Sequence, residues 1–333
     1  MVTLKDIAKE AGVSVMTVSR VVNGQHSKVS SKHIEKIQKI IKERGYIPSS
    51  AARSLSSKSS HIISVIIRGT GNQLKDSYFA SMVGEIVSDV QERGYYLMLH
   101  FINRYDDITQ RLRAWNAEGC IFLGTFDKDI QQIQQDNLIP LVFTDSYSNI
   151  RQITNVGIDD YKGGVLAAQH FISQGHKSFA FVGYSSASSV VQHRLNGFRD
   201  TLEASGYRLD NSHIFEAEDK MPIEKIAKSI RSFREPVTAI FATADLLAIS
   251  LMDCFKNMGC KIPDDYSFIG FDDLPISRLV TPPLTTITQD IGKKARIAVD
   301  ILFRHINDNS LPAENAVLDV SLVSRQSVKN LNL

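Results

Sequence analysis

With 333 residues, 43% hydrophobic and 22% charged, the chain has the composition of an ordinary soluble globular protein and enough length for two or three domains. No apolar run reaches the length of a membrane span, no signal-peptide pattern opens the chain, and an odd, scattered set of cysteines (Cys120, Cys254 and Cys260) argues against a disulfide framework and for reduced core thiols in the cytoplasm. The formal net charge of +2 conceals an asymmetry: residues 1–60 hold 11 Lys+Arg against 4 Asp+Glu, while the remainder holds 27 against 32, so any nucleic-acid contact is expected at the N-terminal end.

Residues 3–23, TLKDIAKEAGVSVMTVSRVVN, read as two short helices joined by a tight turn. Leu4, Ile7, Ala8 and Ala11 recur at helical spacing, Thr3 and Asp6 form a capping box, and Gly12 supplies a left-handed end. Ser14 caps the second helix. Val18, Val21 and Val22 fall on one side of it, and Met16, Ser19, Arg20 and Asn23 on the other. This is the helix-turn-helix arrangement, whose second helix enters the major groove of DNA. Spacing alone leaves a merely solvated helical hairpin equally open; the local charge, a third helix and the segment after it favour DNA. The third helix starts at Ser30, carries an Ile34, Ile37, Ile40, Ile41 stripe with lysines on its other faces, and ends at Gly45. A mini-core of Leu4, Ile7, Val18, Val22, Ile37 and Ile41 then holds a domain of about 46 residues, near the lower limit for independent folding.

Pro48 breaks the pattern. The polar stretch 49–60, SSAARSLSSKSS, has room for a one- to two-turn helix that is marginal in water by itself, and Leu55 is its one large apolar residue. From Ile62 apolar runs at 62–67, 95–101, 120–124, 140–144, 179–183, 238–243 and 267–271 alternate with helical patterns, and Gly94, Gly175, Gly206 and Gly259 terminate helices. These are too many strands for one unit, so two α/β lobes of parallel sheet are expected, with a cleft between them where strand ends converge.

Catalytic signatures are weak. GTGNQL at 69–74 is a partial dinucleotide fingerprint with Leu74 in place of the third glycine. There is no P-loop, no G-x-S-x-G elbow and no H-E-x-x-H, and the nine histidines lack ligand spacing, so neither a metal, a cofactor nor a catalytic residue is expected. Asp272 and Asp273 are adjacent, and on an extended segment they would point apart.

Read as a whole, the chain closely resembles the lactose-repressor/galactose-repressor (LacI/GalR) family of transcription regulators. The resemblance rests on TLKDIAKEAGVSVMTVSRVVNG, VSSKHIEKIQKIIKERGYIPSSAARSL, LAAQHFISQGHKSFAFVG, HRLNGF, IGFDDLPISRLVTPPLTTITQD and SLVSRQSV. It implies an α/β fold: an N-terminal three-helix helix-turn-helix DNA-binding domain (1–47), a hinge helix and linker (48–60), and a two-lobed core (61–333) like that of type I periplasmic binding proteins. Lobe 1 would span about 61–159 and 290–318, and lobe 2 about 160–289 and 319–330. It further implies that Val15 and Met16 discriminate operators, here by apolar contact with thymine methyl groups. Arg20 would pair with guanine, and Ser14, Thr17, Ser19, Asn23, His33 and Tyr46 would touch phosphates or nearby groups. Ala52 and Leu55 would enter the minor groove, where two such leucines in a dimer kink the duplex.

For the core, the resemblance places a small-molecule effector between the lobes, against Tyr78, Phe79, Asp145, Arg194 and Asp272, a constellation suited to polyol hydroxyls. A structural ion-pair network is the competing reading of the three charged residues. Two departures stand out. Ala244 replaces an Asn common before the aspartate matching Asp245, and Lys220 with Met221 replaces an aromatic pocket residue, so a ligand with an anionic group pairing with Lys220 is one expectation. The tetramer-forming tail is absent, which implies a homodimer on a pseudo-palindromic operator. Its interface is expected to use the helices at 79–94 and 246–259, with Leu251, Met252 and Phe255. The resulting expectation is a cytoplasmic, non-enzymatic repressor, controlled by a sugar or sugar derivative. The alternatives are a solute-binding protein without regulatory role, a corepressor-dependent regulator of nucleobase metabolism, or an enzyme on a related scaffold.

Overall fold

The computed structural model describes residues 2–46, 59–104, 106–124, 129–147, 153–185, 188–217 and 222–332. The chain divides into two compact units, residues 1–61 and 62–333.

Local capping chemistry sets the helices of the first unit. In α1 (Leu4–Ala11), Asp6 N donates to Thr3 Oγ1 and Thr3 N to Asp6 Oδ2, closing the capping box, and Gly12 ends the helix at φ 72°. In α2 (Val15–Val22), Thr17 N donates to Ser14 Oγ at 3.1 Å. In α3 (Ser31–Arg44), Ser30 has cap geometry, but its hydroxyl pairs with His33 Nδ1 at 3.0 Å and not with a helix amide. The mini-core is centred slightly differently from the expectation. Ile7, Ala8, Ala11, Val18, Val21, Ile37 and Ile40 are buried, with Leu4, Val22 and Ile41 at its margin. Val21 and Ile40 lie closer to the middle of the facing stripe than their apolar neighbours. An ion pair between Arg44 and Glu10 at 2.8 Å ties the end of α3 to α1.

The second unit holds two six-stranded sheets. The first is wholly parallel, in the order β11-β5-β4-β3-β1-β2, from β1 (Ile62–Arg68), β2 (Tyr96–Ile102), β3 (Gly119–Leu123), β4 (Leu141–Thr144), β5 (Asn155–Ile158) and β11 (Asn315–Leu318). The second has the order β12-β10-β9-β8-β6-β7, from β6 (Phe179–Gly183), β7 (Ile214–Glu216), β8 (Ala239–Ala242), β9 (Ser267–Asp272), β10 (Thr285–Thr288) and β12 (Ser321–Val323), the last antiparallel to β10. β3, β6 and β9 are buried along their whole length, as strands covered on both faces must be. The chain crosses between the sheets after β5, β10 and β11.

Helices cover these sheets. α4 (Ser77–Glu92) follows β1, and α5 (Asp106–Ala114) and α6 (Ile130–Asp136) belong to the first sheet's connections. α7 (Asp160–Ser173) and α8 (Ser189–Ala204) touch backbone to backbone: a Cβ at Gly164 would stand 2.1 Å from the Arg194 carbonyl oxygen, and one at Gly197 2.0 Å from that of Tyr161. After α9 (Ile223–Arg231), α10 (Asp245–Asn257) corrects one expectation. Leu251, Met252 and Phe255 are in the core of the second lobe, because they continue its Leu247, Ala248 stripe against the sheet, and so are not available to a dimer interface. A short α11 (Ile276–Leu279) precedes β10, and α12 (Ile291–Asn307) packs on α4 and the first sheet. No helix among the described residues is long and apolar enough to cross a membrane.

Candidate functional site

The first unit presents one chemically distinct face. Packing of Val18 and Val21 against α1 turns the opposite side of α2 outward. Val15 and Met16 stand there 41% and 63% exposed, two large apolar side chains that the unit leaves in solvent. Beside them Arg20 is half-buried, Thr17 Oγ1 lies 2.9 Å from Ser14 Oγ, and Asn23 Nδ2 donates to Ser19 Oγ at 3.3 Å. His33 is exposed and oriented by Ser30, whereas Tyr46 packs on the margin of the mini-core. Ala52 and Leu55 lie outside the described residues, as does Lys220.

The second unit holds a cavity of about 200 Å³ at the carboxyl ends of both sheets. In each sheet the strand order reverses about the strand next to one edge, β1 or β6, and such reversal points are where open α/β sheets bind ligands. Tyr78 and Phe79, in the first turn of α4, line it with Asp145 after β4, Arg194 on α8 and Asp272 at the end of β9. All five predicted residues within the described chain therefore meet in one pocket. The pocket also contains Asp76, Tyr184, Thr243 and Gln289, which sequence reasoning did not single out.

The charges are not open clamps, however. Lys294, fully buried on the first turn of α12, donates to both oxygens of Asp145 and to Gln289 Oε1, each at 2.8 Å. Tyr78 Oη donates to Asp145 Oδ2 at 2.5 Å, and burial together with that carboxylate holds its phenol well above the ordinary value. Gln289 Nε2 donates to Asp272 Oδ1 at 2.5 Å. A polar chain thus runs from Asp272 in the second lobe through Gln289 and Lys294 to Asp145 and Tyr78 in the first. Burial pushes the Asp272 carboxyl up to about 8, against the pull of Arg194.

A second chain crosses at the other side. Arg194 Nε donates to Asp160 Oδ1 at 2.7 Å, its Nη1 donates to the Thr243 carbonyl at 2.6 Å, and its guanidinium lies 3.4 Å from the centre of the Phe271 ring. Tyr147 Oη donates to Asp160 Oδ2 at 2.6 Å, and its ring stacks on His193 at 4.1 Å. The close α7–α8 crossing is what delivers Arg194 to Asp160. Asp245 is buried and receives Leu274 N, Ser277 Oγ and Thr286 Oγ1, so it fixes the loop that follows Asp272. Asp272 and Asp273 do part, but not on extended backbone: both have positive φ, 109° and 54°, and Asp273 turns away to Arg325 and Arg278. Among the described residues no group of three His, Cys, Asp or Glu side chains could hold a metal ion.

A helix pair with an outward basic and apolar face, and a core with a polar cleft between two mostly parallel sheets, recur together in known proteins. A family described as "Bacterial regulatory proteins, lacI family" matches residues 3–49, and one described as "Periplasmic binding protein-like domain" matches 168–328. The HTH-type transcriptional regulator MalR of Clostridium butyricum is 30% identical over 98% of this chain and 99% of its own. The HTH-type transcriptional repressor PurR of Photobacterium profundum is 28% identical over the whole of both chains. The crystal structure of the lac repressor dimer bound to operator and the anti-inducer ONPF superposes with a TM-score of 0.88 at 27% identity, covering 98% of this chain and 99% of that one.

Proposed function

The chain belongs to the LacI family of bacterial regulatory proteins, and from that premise we propose that it is a transcriptional repressor that binds a pseudo-palindromic operator as a homodimer and is controlled by a small molecule held between its core lobes. Residues 1–47 bind DNA, 48–60 form the hinge, and 61–333 bind the effector and dimerise. The observation that carries the reading is the outward pair Val15 and Met16 at the start of a capped helix in the basic unit, since exposed apolar groups there are suited to thymine methyls in the major groove. Arg20 reads a guanine. Ser14, Thr17, Ser19, Asn23, His33 and Tyr46 fix the register on the backbone, and Ala52 and Leu55 open the minor groove. In the core, Tyr78, Phe79, Asp145, Arg194 and Asp272, with Lys220, form the effector site, and the effector is a sugar or sugar derivative.

We read the pocket as a binding site and not a catalytic one, because its carboxylates are committed to Lys294 and Gln289 instead of flanking a shared reactive position. The protein acts in the cytoplasm, with its DNA. Effector binding shifts operator affinity by coupling the lobe angle to the hinge, a coupling of about 1–3 kcal/mol in typical allosteric proteins. Competition binding to operator variants tests the assignment. Arg20→Ala is expected to relax preference at one base position by ~1–3 kcal/mol, and Leu55→Ala to weaken binding to the operator as a whole. Full operator affinity and unchanged base preference in both variants would refute the DNA-binding assignment.

A further inference from the structure

Three chain crossings, at 158–160, 288–291 and 318–321, join the two lobes of the core, and two of them carry buried side-chain ties. At the middle crossing Gln289 has both ends of its amide in use. Its Nε2 donates to Asp272 Oδ1 at the end of β9, and its Oε1 accepts from Lys294 Nζ on α12, which also holds Asp145 after β4. At the first crossing the hydroxyl of Tyr147, in the first lobe, lies 2.6 Å from Asp160 Oδ2 and 3.0 Å from the Ile158 carbonyl oxygen. Asp160 in turn accepts from Arg194 of the second lobe at 2.7 Å. The third crossing lies against the first, with Asp159 N donating to the Leu318 carbonyl at 3.0 Å, and so moves with it.

Burial gives these bonds their weight. Asp145, Asp160, Arg194, Asp272, Gln289 and Lys294 are all buried, so water offers them little in exchange, and a polar group parted from its partner there stays unsatisfied. Asp145 and Asp272 also stand at φ 51° and 109°, backbone that side chains rarely adopt and that persists only where the surroundings over-determine it. The Asp272 carboxyl accepts the Gln289 amide whether or not its other oxygen holds a proton, so this tie does not depend on the charge state of Asp272. Each tie therefore runs from a residue of one lobe to a residue of the other through bonds supplied by the chain itself.

We infer that the core latches itself: the Gln289 tie and the Tyr147 tie each fix the angle between the lobes, either one is sufficient, and the lobes part only when both are broken. Gln289 and Tyr147 are then positioning residues, which act on the pocket through Asp272 and Arg194. Those two residues line the pocket, so a group that competes for them loosens a tie; this bearing on regulation rests on reading the pocket as the effector site.

The test is hydrogen–deuterium exchange of the full chain, with no ligand added, in peptides covering 155–162, 286–294 and 316–323. Gln289→Met and Tyr147→Phe singly speed exchange by less than about threefold, and only around their own crossing. The double variant speeds all three peptides by at least about tenfold, while β3 and β6 keep their wild-type rates. Asp272→Gly suits the positive φ and leaves Lys294 its partners, and with Tyr147→Phe it gives the same release. Asp272→Asn, whose amide oxygen still accepts from Gln289, does not. A double variant that does no more than the two single variants combined overturns the inference. So does full release by either single variant, release by Asp272→Asn with Tyr147→Phe, or equal acceleration in β3 and β6, which makes the ties supports of the whole fold. The assay needs neither ligand nor DNA, so its failure leaves the effector reading standing. A released double variant that binds in-vitro-selected DNA with wild-type affinity keeps the latch and defeats the regulatory reading.

Discussion

Lys294→Met should damage the core far more than a surface lysine would. Lys294 is fully buried and Asp145 nearly so, and the substitution deletes three hydrogen bonds while leaving the Asp145 carboxylate with the Tyr78 hydroxyl as its side-chain partner among the described residues. Removing one member of a buried pair typically costs about 3–5 kcal/mol, because the other charge is stranded away from water. For a unit the size of residues 62–333 this is a fall in melting temperature on the order of 10 °C. The double variant Asp145→Asn/Lys294→Met removes both charges and keeps an acceptor for Tyr78, so it should recover at least half of the loss. The chain's one tryptophan, Trp115, lies in this unit, and its fluorescence follows core unfolding separately from the helix-turn-helix unit. A single variant costing under about 1 kcal/mol, or a double variant less stable than the single, would refute the account of the pair.

Two further outcomes follow from burial. Gly197→Ala should lower the stability obtained from urea unfolding by at least about 2 kcal/mol and separate Arg194 from Asp160, since its Cβ would stand 2.0 Å from a backbone oxygen that cannot yield as a flexible side chain could. His176 is buried between Thr238 and the Lys329 carbonyl, and desolvation lowers its pKa from 6.5 to about 4. The unfolded chain therefore takes up this proton first. The stabilisation is complete above pH 6.5 and is lost as pH falls toward about 4, up to about 3 kcal/mol. Denaturation midpoints measured across that window should fall in the wild type and fall less in His176→Gln; equal slopes would remove His176 from the explanation.

The helix-turn-helix unit is legible in the sequence because its determinants are local: Thr3 with Asp6, Gly12 and Ser14 act within a turn of their own position. The pocket residues are legible through strand ends and resemblance together, since nothing near Asp145 or Arg194 in sequence announces that they share a cavity. Lys294 is hidden by its neighbour: Lys293 and Lys294 look alike in the sequence, and only helix phase, with Ala295, Ala298, Val299, Ile301 and Leu302, places Lys294 on the buried stripe. Thr243 is unremarkable in the sequence, since only the fold brings its carbonyl to the Arg194 guanidinium. β5, β7, β10, β11 and β12 escape because runs of three or four residues such as NVGI or TTIT have too little length to show a period. Leu251, Met252 and Phe255 mislead for a different reason: an apolar stripe looks the same whether a sheet or a second subunit covers it.

The contact of α7 with α8 has a mechanical meaning. Helices ordinarily stand about 8–10 Å apart, separated by side chains that can slide or change rotamer under load. Here peptide backbone meets peptide backbone at Gly164 and Gly197, so that compliant layer is missing. α8 carries Arg194, and α7 begins two residues after β5 ends. A force applied to the guanidinium therefore reaches the first sheet as through a welded bracket, with little dissipated by shear between the helices. Closure of the cleft must turn on the chain crossings themselves, as a hinge does, with the helix pair carried along as a single rigid piece.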